Sequence, residues 1–237
     1  MQSRIYATRR RFLRGVVGIA SVSLTVAGGR DTHAATPGVT GNSSLAIEKL
    51  KAGNQRCING DSVHGHDVNK WRERFLNSQK PFATILGCSD SRVPPELIFD
   101  QGFGELFVIR VAGNIVDPAV IASVEYSIAH LDNKLVVVLG HQNCGAVTAA
   151  LKPKQQTSNE PPELQSLLQY IRPAIEKVDD TLPAVDRLSA AIKANVRNSV
   201  AKLSNIPTIA NAIEMRNVQV VGAICKVDSG ETNFLSS

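Results

Sequence analysis

The sequence lacks the marks of several large protein classes. No segment repeats at a fixed period, which excludes solenoids and propellers. No glycine-rich phosphate loop follows a predicted strand: Gly102-Phe103-Gly104 comes after a helical stretch, so a nucleotide-binding fingerprint is missing. The uncharged run from Val16 to Gly28 is too short and too glycine-rich to span a bilayer stably. Cysteine is scarce, at four residues (57, 88, 144 and 225), and none lies in the first 35. One-sided charge is also missing once the N-terminal stretch is set aside. Residues 1–34 hold six of the 26 Lys and Arg and one of the 21 Asp and Glu, so the remainder carries 20 of each. The sequence pI of about 9.1 therefore belongs to the first segment, and nothing in the rest points to nucleic acid or to an anionic membrane.

That first segment has an export pattern. Thr8-Arg9-Arg10-Arg11-Phe12-Leu13 resembles a twin-arginine motif, the apolar run follows it, and Thr32-His33-Ala34 sets small residues where a signal peptidase reads. Residues 1–35 are expected to be a cleaved signal, cut near Ala34 or Ala35, that places the protein in the periplasm or otherwise outside the cytoplasmic membrane. Residues 36–43 are a small-residue linker. Residues 44–237 are long enough for one α/β domain with its own core.

Two short segments organise that domain. Phe82 to Gly87 is apolar and ends in glycine, and Cys88-Ser89-Asp90-Ser91-Arg92 follows it. Leu135 to Gly140 is built the same way, and His141-Gln142-Asn143-Cys144-Gly145 follows it. Short apolar runs of this kind are expected for buried parallel strands, and the carboxyl ends of such strands share one crevice. Two thiols and an imidazole converging there form a soft N/S donor set suited to zinc. Three protein ligands leave a fourth position for water, a catalytic pattern more than a structural one. Asp90 either fills that position or pairs with Arg92. A lone buried cysteine is ordinarily packing; two motifs at two strand ends, one carrying a charged pair, argue against that for Cys88 and Cys144. Cys57 and Cys225 sit among apolar patterns and are expected to be core thiols, with a bridge between them as the alternative.

The remaining pattern predicts an α/β fold: a mainly parallel four-stranded sheet with an added terminal strand, flanked by helices. Strands are expected at Phe82 to Gly87, Leu106 to Val111, Lys134 to Gly140, Val218 to Ile224 and Thr232 to Leu235. Helices are expected from Leu45 after a capping Ser44 to Asn59-Gly60, over Val68 to Leu76 with Trp71 and Phe75 on one face, and from Pro94-Pro95-Glu96. Further helices are expected over Ala119 to Leu131, Gly145 to Leu151, Glu163 to Val178 and Val185 to Leu203. His64 and His66 are read as part of a solvated loop, and Lys152 to Pro162 as a loop.

At CSDSR (88–92) and HQNCG (141–145) the chain resembles the β-class carbonic anhydrases, and the likeness runs from Leu45 to Leu235, including GFGELFVIRVAGN at 102–114. The resemblance implies a zinc lyase interconverting carbon dioxide and bicarbonate, with Cys88, His141 and Cys144 on Zn2+ and Asp90 and Arg92 as the catalytic pair. Arg92 would hold Asp90 off the metal while Asp90 accepts the hydrogen bond of the zinc-bound water. Asp90 as fourth ligand would give a closed state. It also implies a homodimer or dimer of dimers, with Gln79 binding substrate across the interface and Phe107 and Ala112 lining the carbon dioxide pocket beside Ile85 and Val93. Regulated members use a Trp-Arg-Tyr bicarbonate site. Arg110 matches its arginine, but Ile85 stands at the tryptophan position, so that regulation is expected to be lost. A carbonyl sulfide or carbon disulfide hydrolase on the same scaffold, and a non-enzymatic metal protein, are the other readings; the charged Asp90–Arg92 pair argues against the second.

The export reading has a direct test. With lysine at both Arg9 and Arg10, uncleaved precursor should accumulate in the cytoplasm on immunoblots of cell fractions. Undiminished mature protein outside would refute the motif.

Overall fold

The sheet forms around its two most apolar strands. Ala83–Gly87 (β1) and Leu135–His141 (β3) are buried along their whole length, because helices cover both of their faces. The computed structural model describes residues 41–63 and 76–236. The expected signal at 1–35, residues 36–40 of the expected linker, His64 and His66, and residues 68–75 of the second predicted helix with Trp71 and Phe75 lie outside them.

Among the described residues the other elements are, in chain order, α1 (Ser43–Asn59), α2 (Pro95–Ile98), β2 (Leu106–Arg110), α3 (Pro118–His130), α4 (Gly145–Leu151), α5 (Pro162–Ile175), α6 (Ala184–Ser204), α7 (Pro207–Arg216), β4 (Gln219–Cys225) and β5 (Thr232–Phe234). The sheet order is β2-β1-β3-β4-β5. The first four strands are parallel, as the sequence pattern predicts, and the added terminal strand β5 is antiparallel to β4. From β1 the chain moves outward to β2 and then returns to β3 on the other side of β1. The carboxyl ends of β1 and β3 therefore flank a topological switch point, the place where open α/β sheets bind ligands.

Strand alternation divides the core between the two faces. Ala83, Ile85, Val137 and Leu139 face α1, α4 and α5. Leu86, Val136 and Val138 face α3 and α7. Helix α6 serves both sides, giving Ala191 and Ile192 to the first cluster and Val196 and Leu203 to the second. It lies close against the sheet at Gly140 and Gly222, where an added Cβ would stand 2.5 and 2.7 Å from the methyl groups of Val196. At the other end, buried Asn54 ties α1 to the rest: its Nδ2 donates to Ile98 O and Gly230 O, and its Oδ1 accepts from Thr232 N.

Three local details differ from expectation. Helix α1 begins at Ser43 and is capped by Asn42, whose Oδ1 accepts from Leu45 N at 3.1 Å, so Ser44 lies inside the first turn instead of capping it. The loop at 152–162 contains a 3-10 turn, Lys154–Thr157. Helix α7 was not foreseen. It opens on Pro207 and buries Ile209 and Ala212, too sparse a stripe to stand out as periodic. Cys57 and Cys225 are free thiols, Cys225 being buried. No helix among the described residues is long and apolar enough to cross a membrane.

The contact between α6 and the sheet leaves no space for a methyl group. Gly222→Ala should destabilise the fold by about 1–3 kcal/mol through overpacking against the stiff Val196, read as a lowered denaturation midpoint. An unchanged midpoint would show that α6 can move away at no cost.

Candidate metal centre

Cys88 is the first residue after β1, and His141 is the last residue of β3. Cys144 precedes α4 in the capping position, after a tight Gln142-Asn143 turn in which Asn143 takes φ 56. Asparagine tolerates this left-handed conformation better than most residues, so three residues suffice to bring the chain from a strand-end imidazole to a second thiol. The sulfurs of Cys88 and Cys144 and a ring nitrogen of His141 lie within 4.8 Å of one another, and all three residues are buried.

The donor set fits a cation. His141 Nδ1 is 2.9 Å from the Gln142 carbonyl, which accepts its hydrogen. That leaves Nε2 with a lone pair, and Nε2 is buried with no hydrogen-bond partner among the described residues. A buried acceptor without a donor is costly unless something positive meets it. The thiols carry the same message. Cys88 is pushed down to about 4, chiefly by the hydrogen bond from Cys144 and further by the Gly113 and Asp90 backbone, against an opposing effect of burial. Cys144 is pushed up because its proton serves the Cys88 thiolate and because it is buried. Two neighbouring thiols hold one proton between them, and both can be ionised only if a cation replaces it.

Beside the cluster, Arg92 grips Asp90. Its Nε donates to Oδ1 at 2.9 Å, its Nη2 to Oδ2 at 2.8 Å, and its backbone N–H to Oδ1 at 3.0 Å. The guanidinium holds the Asp90 carboxyl well below the usual carboxylate range. Oδ2 accepts one of these bonds and so keeps an open acceptor direction; it lies 3.9 Å from His141 Nε2. Arg110, at the end of β2, donates from Nε to Cys88 O at 2.9 Å and from Nη2 to Asp90 O at 2.5 Å. It clasps the loop by its backbone.

Of the other predicted site residues, Ala112 is brought close: it opens the turn Ala112–Asn114, where Gly113 N donates to Cys88 Sγ at 3.3 Å. Gln79 is exposed and precedes β1, toward the end of the strand opposite Cys88. Phe107 pairs in register with Thr84, well before the strand end, and its ring stacks on Tyr126 of α3 with centroids 6.1 Å apart. One protomer does not join Gln79 or Phe107 to the cluster. Ile85 and Val93 are buried core residues. Sequence reasoning missed the Gly113 N–H on the thiolate and the α6 side chains behind it, Asn195 and Ser199. Their signal was a polar i, i+4 pair set among the apolar positions Ile192 and Val196.

A buried thiol-imidazole cluster at the switch point of a mainly parallel sheet, with an aspartate and an arginine at its edge, is the arrangement of an α/β enzyme whose donor set could hold a metal. The comparisons identify which. The carbonic anhydrase family pattern matches residues 83–232. Carbonic anhydrase 2 of Mycobacterium tuberculosis is 36% identical over 191 residues, covering 80% of this chain and 91% of the relative. Among solved structures, a β-carbonic anhydrase of Aspergillus fumigatus superposes with a TM-score of 0.66 at 27% identity, over 81% of this chain and 90% of that one. The tetrameric β-carbonic anhydrases of Sordaria macrospora give 0.64 at 28% identity, over 82% and 95%. The chain belongs to the carbonic anhydrase family, in its β class.

Arg92→Gln tests the grip on Asp90. The depressed carboxyl contributes stability that is present above the usual aspartate range, near about 3.9, and is lost as pH falls through the lowered value. Without the guanidinium, Asp90 should titrate near its ordinary pKa by carboxyl NMR. A titration unchanged from the parent would contradict the assigned cause.

Proposed function

We propose that the protein is a zinc-dependent carbonic anhydrase that interconverts carbon dioxide and bicarbonate. The observation that carries this is the buried Cys88–His141–Cys144 cluster with an unpartnered His141 Nε2, set beside an aspartate already committed to an arginine. Cys88, His141 and Cys144 would hold the ion, and zinc supplies the Lewis acidity that brings the pKa of water from 15.7 to roughly 7. Asp90 contributes an acceptor, Oδ2, that is fixed by Arg92 and stays ionised at neutral pH, so it can take the hydrogen bond of a water and orient it without binding a proton of its own. Arg110 fixes the carbonyls of the same loop. Carbon dioxide is small and apolar and needs little more than a dry wall, for which Ala112 is the candidate. The relatives described above are carbonic anhydrases, which favours carbon dioxide over carbonyl sulfide or carbon disulfide.

The functional unit would be a homodimer or a dimer of dimers. Gln79 and Phe107 reach a site only if a second copy brings its cluster to them. The half-buried edge strand β2, with Phe107 stacked on a Tyr126 that is 47% exposed, is the kind of aromatic surface such contacts cover. Export through residues 1–35 completes the reading, since twin-arginine transport carries proteins that have already folded and could have taken up their metal in the cytoplasm.

Stopped-flow hydration and zinc content, measured on the same sample, test the function. The parent should hold one zinc per chain and hydrate carbon dioxide. Cys144→Ser should lose metal and activity together, and a variant that keeps full zinc would remove Cys144 from the ligand set. Gln79→Ala should keep its zinc and slow turnover, while light scattering should find no fully active monomer.

A further inference from the structure

We propose that Asn195, on α6, is a positioning residue of the metal centre: it fixes the Ala112–Asn114 turn so that the Gly113 N–H stays on Cys88 Sγ, and thereby sets how strongly that thiolate donates to the ion. The inference rests on the zinc reading above. Two thiolates cancel the charge of a divalent cation and weaken its pull on water, so the surroundings must draw density back from sulfur. A backbone N–H directed at the sulfur does this.

The turn is built for the task and is held from α6. Gly113 has φ 69, and a Cβ there would stand 2.7 Å from Ile171 Cδ1 and 3.1 Å from Ala146 Cβ, so the turn is pressed between α5 and α4. Asn114 follows in the same left-handed region, at φ 43. Asn195 Nδ2 donates to Gly113 O at 2.8 Å, and Ser199 Oγ to Asn114 O at 3.1 Å. The first bond sets the peptide plane that follows Gly113 and the second the plane that follows Asn114, while the N–H that precedes them belongs to Gly113 and meets Cys88 Sγ.

Asn195 is 1% exposed and its Oδ1 has no partner among the described residues. A buried half-satisfied amide is worse for stability than an apolar side chain of similar volume. Packing alone would favour leucine at this position. The amide is accounted for by its one used donor, and that donor acts on the turn that touches the metal ligand.

The test uses the full chain loaded with Co2+, whose thiolate-to-metal absorption reports charge on the sulfurs. In Asn195→Leu the band should move to lower energy, because the sulfur is left with more charge to donate. Leu203→Ala, a core truncation further along α6, should lower the melting temperature without moving the band. If Asn195→Leu does not fold, Asn195→Ser, too short to span the bond, is read by the same criteria. A metal-loaded Asn195 variant with the parental band would overturn the inference, as would an equal shift in Leu203→Ala. Absence of any thiolate-to-cobalt band in the parent would instead overturn the metal reading itself.

Discussion

Two buried sulfurs and an imidazole nitrogen within 4.8 Å form the constraint around which the chain is arranged. In isolation this grouping is unfavourable: one thiol is driven to ionise, its neighbour is held protonated, and a ring nitrogen has no donor. A fold tolerates such a cluster only if it is rigid and a ligand repays the cost. Rigidity comes from the sheet. β1 and β3 are its most deeply buried adjacent strands, and the ligands stand at their ends, where the backbone is fixed by parallel ladders on both sides. Placing the same residues on a surface loop would demand ordering entropy that here has already been spent on the core.

The geometry around the cluster depends on backbone groups more than on side chains. Gly113 N–H meets Cys88 sulfur, the Gln142 carbonyl sets the tautomer of His141, and Arg110 holds the Cys88 and Asp90 carbonyls. The turns that aim these groups need left-handed residues. Every non-glycine residue with positive φ among those described is Asp or Asn, and two of them, Asn114 and Asn143, adjoin the site. A turn held this tightly resists the small displacements that would misplace a metal ligand.

This division explains what could be read in advance. The strands, the switch point and the ligands were legible because each depends on a local pattern: an apolar run, a glycine, a cysteine or histidine directly after it. The clasp was not. Asn195 lies 82 residues from Gly113, and nothing in its neighbourhood says which carbonyl it will meet. Arg110 was visible as a charge at a strand end, and the family resemblance matched it to the arginine of a bicarbonate site, while its hold on the Cys88 and Asp90 carbonyls had no local trace. α7 was missed because a short helix that buries two side chains leaves a faint periodic trace. Phe107 shows a different limit. Its place on β2 was predicted, but its partner within the protomer is Tyr126, and a role at the metal would require a second chain.

Charge decides which of its two options Asp90 takes. Two thiolates and a divalent cation sum to zero; a carboxylate added as fourth ligand would leave a net negative centre in a buried site and strip Arg92 of its partner. As paired, Asp90 accepts three hydrogen bonds from Arg92, and both of its oxygens are engaged. Its backbone carbonyl is meanwhile held by Arg110, so a swing toward the cluster would have to begin at the side chain, against the fork. On the proposed zinc reading, closing the centre would require a change that weakens the arginine pair or adds positive charge to the cluster. In the structure the carboxylate stands at the edge of the cluster, paired with Arg92 and with Oδ2 3.9 Å from His141 Nε2.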